Sequence, residues 1–474
     1  MPLFKAQGYQ GFGSFQSENP EELIRISDKD YKPPRREISL KRFSHPLSFG
    51  TTTRTECFGL DPTWTFINHG AFGAACKPAL EVSFAWQHYT EEQPLRFIDR
   101  ELFPLLCYSI RRVAAFVHAK PTSIAIVPNA TYALTSVIQS HSIISGSVIC
   151  TLDIGYGSLK KMALHSLSSK SLDKELYISL NINIPCSRSD LIVQIIQKVP
   201  LNCSLFIIDH ITSNTGIVLP IKEIIDGIRL KIPSCIILID GAHGLGSIDL
   251  NLDELGADYY VSNFHKWLCS TRGVGLLYSR TPELASRVRA AVVSHGFGAG
   301  YTSEFIWDGC RDYSMAVGIP ELLDWWTEED FLAKSRKYCR DLLINAAELL
   351  TACWKSRSHM DLYDGSYSHM ACIELPLSCL PPGACIDEHN KIVNCTTTHS
   401  KMLQDALHYA FKIEVPVKTL PSHVGDTRSY VRISAMIYNT MDEYKKLADA
   451  VLQLKWLINE KGEIELETPI SSMI

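Results

Sequence analysis

From about Asp61 onward the chain alternates between short apolar runs and longer stretches in which apolar residues recur at helical spacing. The short runs are "SIAIV" (123–127), "SVICTL" (147–152), "ELYISL" (175–180), "SLFIID" (204–209), "CIILID" (235–240), "DYYVS" (258–262) and "VGLLYS" (274–279). Several are apolar throughout, which is how strands read when helices cover both faces of a parallel sheet. The expectation is an α/β fold whose large domain, residues 56–318, carries a seven-stranded, mostly parallel sheet. After Ile319 a single long helix is expected over "ELLDWWTEEDFLAKSRKYCRDLLINAAELLTACWKS". Mixed short elements follow, giving a smaller C-terminal α+β domain over residues 319–474. Residues 1–55 are rich in Gly, Ser, Pro and charge without sustained periodicity, and are expected to form an extended, partly disordered arm. The stretch "PLSCLPPGACIDEHNKIVNC" has the composition of a loop or insertion.

Composition narrows the classes. The chain has 474 residues, 46% hydrophobic and 20% charged, an ordinary globular balance. Its 46 basic and 51 acidic side chains give a net charge of -5, so nothing global argues for nucleic acid or a membrane surface as a partner. No run approaches the roughly 20 apolar residues that span a bilayer, and the N-terminus lacks the apolar core of a signal peptide; a cytoplasmic location is expected. Fifteen cysteines are scattered singly, with no CxxC pair, and read as small buried hydrophobes rather than zinc ligands or a disulfide framework.

Ligands of parallel α/β sheets bind beyond the carboxyl ends of the strands, so chemistry is sought just after each run. The fifth run ends in "IDGAHGLG", with Asp240 and His243; the sixth ends in "SNFHK", with Asn263, His265 and Lys266. Taken singly, Asp240 reads as a helix cap and His243 as a satisfied histidine. Together they match what pyridoxal phosphate requires: a lysine to form an imine with its aldehyde, a carboxylate facing its ring nitrogen, and a phosphate cradle. Enclosure beside other cations would leave Lys266 the neutral, reactive amine. The cradle is expected at "PNATYAL", where Ala130 and Thr131 open a helix. After the second run Tyr156 is placed to stack on a flat ring, and after the fourth Ser213 offers a hydroxyl toward its phenolic oxygen. Neither the Walker pattern nor GxGxxG follows a strand, so nucleotide cofactors lose ground.

The ordered set "NHGAFG", "PNATYAL", "DHITSNTG", "DGAHGLGSIDL", "ADYYVSNFHKW", "SEFIWDGCRDYS" and "VRISAMIYNT" resembles the class V aminotransferase family of fold type I pyridoxal phosphate enzymes. The likeness runs from about Trp64 to about Leu452 and is nearest to the isopenicillin N epimerase-like branch, which includes the carbon–sulfur lyases of ergothioneine biosynthesis. The resemblance implies that Lys266 is the catalytic lysine, Asp240 the partner of the ring nitrogen, His243 a donor to the phenolic oxygen, and Tyr156 the stacking ring. Ala130, Thr131, Asn263 and His265 would hold the phosphate, Arg432 would grip the substrate carboxylate, and Asn68 and His69 would border the substrate pocket. Cys310 in "WDGCRD" replaces a threonine that in such relatives reaches the phosphate from the neighbouring subunit, and a thiol is the weaker donor. A homodimer with sites at its interface is implied.

The preferred reaction is carbon–sulfur β-elimination on a cysteine-derived amino acid. Epimerisation, transamination and cysteine desulfuration are the alternatives in the same family, and a catalytically inactive structural or regulatory dimer is the alternative of another class. Desulfuration needs a nucleophilic cysteine, for which Cys372, Cys379 and Cys385 come into view, although Cys372 reads as a strand residue.

Overall fold

A computed structural model describes residues 16, 18–36, 38, 43–144, 146–184, 186–358, 367–382, 395–421, 426–461 and 463–467. The seven apolar runs are seven strands: β1 (Ile124–Val127), β2 (Val148–Leu152), β3 (Tyr177–Leu180), β4 (Cys203–Asp209), β5 (Ile236–Asp240), β6 (Tyr259–Asn263) and β7 (Gly275–Ser279). They form one sheet in the order β1-β7-β6-β5-β4-β2-β3. Only β7 runs against its neighbours, β6 and β1; the other pairs are parallel. Burial follows position. Every residue of β1, β2, β6 and β7 is buried, whereas the edge strand β3 is half-exposed. Helices such as Ala130–Ser140, Gly157–Ser169 and Ile221–Lys231 cover the sheet and return the chain to the same edge each time.

The C-terminal part holds an antiparallel sheet of β8 (Met370–Glu374), β9 (Val417–Pro421) and β10 (Thr427–Ser434), with β10 in the middle. Helices Phe331–Trp354, Thr397–Phe411 and Met441–Gln453 accompany it. Thr65–Phe66 pairs in parallel with Ile413–Glu414 in a separate two-stranded sheet, tying the start of the large fold to the C-terminal part.

One expectation needs correction. The long helix is broken into Ile319–Thr327 and Phe331–Trp354, because Glu329 and Asp330 adopt positive φ (55° and 57°), which a continuous right-handed helix cannot contain. The described residues of the N-terminal arm pack against the large fold. Asn19 caps a short helix, Pro20–Arg25, whose Ile24 is buried. Arg111 donates to the carbonyls of Leu23 and Ile24 at 3.2 and 3.1 Å. Arg36 reaches Glu321 at 2.7 Å and lies 4.9 Å over the Trp86 ring. Residues 1–15, Cys385 with the rest of 383–394, and the C-terminal "SSMI" lie outside the described residues. Among the described residues, no helix is long and apolar enough to cross a membrane.

Candidate active site

Adjacent parallel strands β4 and β5 end in register, Asp209 beside Asp240, and β6 follows with Asn263. This common ending gathers the site. Asp240 Oδ1 accepts the Ala242 amide at 3.0 Å, fixing the carboxylate at the mouth of the turn that carries His243. Asp209 accepts the Tyr156 amide at 3.2 Å and so holds the start of helix Gly157–Ser169 against the strand end. Gly155 is required there, since a Cβ would lie 2.7 Å from Asp209 Oδ2. Burial pushes both carboxyls above the ordinary carboxylate range, and the Asp240 charge pushes Asp209 further. Asp209 went unassigned in the sequence, although "SLFIID" and "CIILID" end alike.

Beyond β6 the chain turns, placing Lys266 Nζ 3.0 Å from His243 Nε2. Lys266 keeps partial exposure, yet protein surrounds its ammonium. Desolvation brings it down to about 8, with Arg432 acting in the same direction and Asp240 and Asp209 opposing. His243 is held neutral, well below the usual imidazole range, by burial and by Lys266. His265 is lowered to about 4 by burial first and Lys266 second. The backbone at Lys266 is clamped from below. His69 Nε2 donates to the Lys266 carbonyl at 2.8 Å and its Nδ1 meets Tyr438 Oη at 2.8 Å. Gly73, at φ 68°, lets the chain press so close that a Cβ would stand 1.7 Å from the His265 carbonyl oxygen. His69, expected at the pocket border, is therefore a fully buried bridge between the Lys266 turn and the small sheet, lowered to about 4 by burial. Trp267 packs between His69 and His369, stacked on the latter at 4.8 Å.

The expected phosphate cradle has a more specific arrangement than a bare helix start. Asn263 Oδ1 accepts the Ala130 amide at 2.9 Å and Asn129 Oδ1 accepts the Tyr132 amide at 2.9 Å. Between them the amide and hydroxyl of Thr131 remain at the helix N-terminus, on an exposed residue. Tyr156 is 46% exposed, its ring open at the same strand edge.

Arg432, on β10, is buried, and its guanidinium donates to the Ser213 carbonyl, to Ser213 Oγ at 3.4 Å and to Asn68 Oδ1 at 3.1 Å. Ser213 thus faces Arg432. Asn68 bridges on to Glu414 at 3.1 Å. Cys310 is exposed in the turn where Arg311 pairs with Asp308 at 2.6 Å.

Among the buried side-chain polar atoms of the described residues that have no partner are four at this site: His243 Nδ1, His265 Nδ1, Trp267 Nε1 and Arg432 Nε. Three belong to residues surrounding or adjoining Lys266, so unsatisfied hydrogen-bonding capacity is concentrated around its amine. Residues 108–293 match the family profile described as "Aminotransferase class-V".

Over that stretch the chain is similar to the class V aminotransferase family.

A protein of Arabidopsis thaliana named probable L-cysteine desulfhydrase, chloroplastic, is 27% identical over 439 residues, 87% of this chain and 88% of its own. An isopenicillin N epimerase of Amycolatopsis lactamdurans is 25% identical, covering 84% of this chain and 97% of its own. Among solved structures, the cystine C–S lyase C-DES in complex with its product cysteine persulfide matches with a TM-score of 0.64 at 16% identity, covering 82% of this chain and 98% of that one. A NifS-like protein matches with a TM-score of 0.62 at 16% identity. These structures share the fold. The family match and these relatives together mark the chain as a pyridoxal phosphate-dependent enzyme, and the residues present fit that cofactor: an amine with a lowered pKa, a carboxylate in reach of its charge, a helix N-terminus and unpartnered imidazoles on one sheet edge.

Proposed function

We propose that this enzyme cleaves the carbon–sulfur bond of a cysteine-derived amino acid, converting a cysteine conjugate and water into a thiol, pyruvate and ammonia. The observation that carries the amino-acid chemistry is Lys266, whose amine is brought to about 8 within reach of His243, Asp240 and Arg432. Bound pyridoxal phosphate supplies the electron sink for carbanion chemistry. Lys266 Nζ takes the substrate α-proton, for which it must be free of its own extra proton, and the neutral His243 imidazole orients it. Asp240 balances positive charge at the strand edge. Arg432 binds the α-carboxylate as a fork whose angle Asn68 and Ser213 set. Thr131, Asn263 and His265 would hold the phosphate of the cofactor and Tyr156 would stack on its ring, while Ala130 fixes Asn263 through its amide. His69 positions the Lys266 turn.

Two of the three candidate thiols, Cys372 and Cys379, favour elimination over desulfuration. Cys372 lies within β8, buried, its Sγ 3.2 Å from the Asn214 carbonyl, and burial pushes it up to about 12. Cys379 is likewise pushed up to about 12. Neither is a thiolate near neutral pH, the form that attacks sulfur. Curated relatives named as L-cysteine desulfhydrases support the same choice. A homodimer is proposed with Cys310 presenting its backbone to the partner's phosphate. Exposed Phe72, Val293 and Phe297 support it, because Phe72 adjoins the Lys266 clamp and the Val292 amide bonds Tyr132 beside the cradle. The test is an assay of S-alkyl cysteines and their sulfoxides for pyruvate with equimolar ammonia. Release of an inverted amino acid without ammonia would overturn elimination in favour of epimerisation.

A further inference from the structure

The small sheet carries a second cation beside Arg432. In the antiparallel pair β9–β10, Lys418 is opposite Tyr430. Residues two apart along a strand share a face, so Lys418 and Arg432 are diagonal neighbours with β-carbons roughly 7 Å apart. Cys372 is opposite Arg432 on β8, and its sulfur touches Asn214 of the loop after β4. That face of the small sheet is therefore pressed toward the edge where Asp209, Asp240 and Lys266 gather.

Among the described residues, the Arg432 guanidinium is engaged only with neutral oxygens of Ser213 and Asn68, and its Nε is buried without a partner. Lys418 is half-buried, and burial together with Arg432 holds its ammonium below the ordinary lysine range. Among the described residues, neither cation forms an ion pair. Two neighbouring cations on one partly dry face, both without a carboxylate, are stabilised by an anionic ligand more than a single cation would be. One carboxylate, the substrate's α-carboxylate, is accounted for by Arg432.

We propose that Lys418 receives a second carboxylate, at the far end of the substrate's thioether side chain, so that the substrate is a cysteine S-conjugate bearing a distal acid. This rests on the carbon–sulfur cleavage proposed above, in which that acid leaves with the thiol.

The test compares S-carboxymethyl-L-cysteine with its neutral isostere, S-carbamoylmethyl-L-cysteine, as substrates of the holoenzyme, with pyruvate release as the readout. The expected kcat/KM of the wild type favours the acid by about ten-fold or more, the discrimination one charge-assisted hydrogen bond supplies. Lys418→Met removes the preference by raising KM for the acid alone, and Lys418→Arg retains it. Equal kcat/KM for both compounds in the wild type overturns the proposal without any variant. So does an equal loss on both compounds in Lys418→Met, which assigns Lys418 to the α-carboxylate or to packing. If neither compound yields pyruvate, carbon–sulfur cleavage is what fails; Lys418 is then tested by the two dissociation constants, read from the visible spectrum of bound cofactor. A preference for the acid supports it, and equal constants overturn it.

Discussion

Replacing Lys266 by Met should make the cofactor-free protein more stable. Lys266 is lowered from 10.5 to about 8 in the fold, chiefly by burial. At about 1.4 kcal/mol per unit, the shift corresponds to about 3 kcal/mol of destabilisation while the ammonium is protonated in both folded and unfolded states. Losing the contact with His243 Nε2, 3.0 Å away, offsets about 1 kcal/mol, leaving a net gain of about 2 kcal/mol for Lys266→Met near pH 7. The pH dependence is set by the direction of the shift. Because the folded pKa is the lower one, the penalty is full below about 8, fades as the unfolded chain alone keeps its proton, and is gone above 10.5. At pH about 9.5 it has shrunk by about 2 kcal/mol, so the two proteins should then be nearly equal. Urea unfolding of both apoproteins at the two pH values measures this. A variant less stable than the wild type near neutrality, or an advantage that does not shrink with pH, would refute the reasoning that burial rather than binding sets the state of this amine.

Arg432 lowers the Lys266 amine while Asp240 raises it, so Arg432→Met should move the midpoint of the pH dependence of cofactor capture upward from about 8 and Asp240→Asn should move it downward. Stopped-flow capture by apoprotein reads both shifts, and shifts of the same sign would contradict the assignment. Gly73→Ala should destabilise by about 3 kcal/mol or more and release the cofactor, since a Cβ there meets the His265 carbonyl at 1.7 Å; Gly59→Ala, where a Cβ meets nothing within 4 Å, should be nearly silent in the same melting experiment. Cys372→Ala should leave pyruvate formation within about two-fold, because a thiol near 12 is not the sulfur acceptor. Loss of turnover with retained cofactor absorbance would restore a persulfide route.

The sheet was legible because parallel strands covered on both faces leave an uninterrupted apolar signature. All seven runs are strands, with ends shifted by a residue or two. Residues at the strand ends, Asp240, Asn263 and Lys266, are brought to one edge for the same reason. What was not legible depends on partners distant in sequence. His69 reads as a pocket histidine until Tyr438 and the Lys266 carbonyl are found on its two nitrogens. Ala130 reads as a free amide until Asn263 occupies it. The break at Glu329 and Asp330 carries no Gly or Pro, and the acidic pair in left-handed geometry gives no pattern that periodicity detects. Lys418 was invisible for a related cause: only the β9–β10 register places it beside Arg432.

The central claim is that Lys266 is the residue that reacts with pyridoxal phosphate. Borohydride reduction of the holoenzyme, digestion and mass spectrometry test it most directly. The phosphopyridoxyl group is predicted on the peptide containing "SNFHKWL", at Lys266, with no label on that site in Lys266→Ala. Label on another lysine, or a wild-type protein that takes no label after reconstitution, would contradict it.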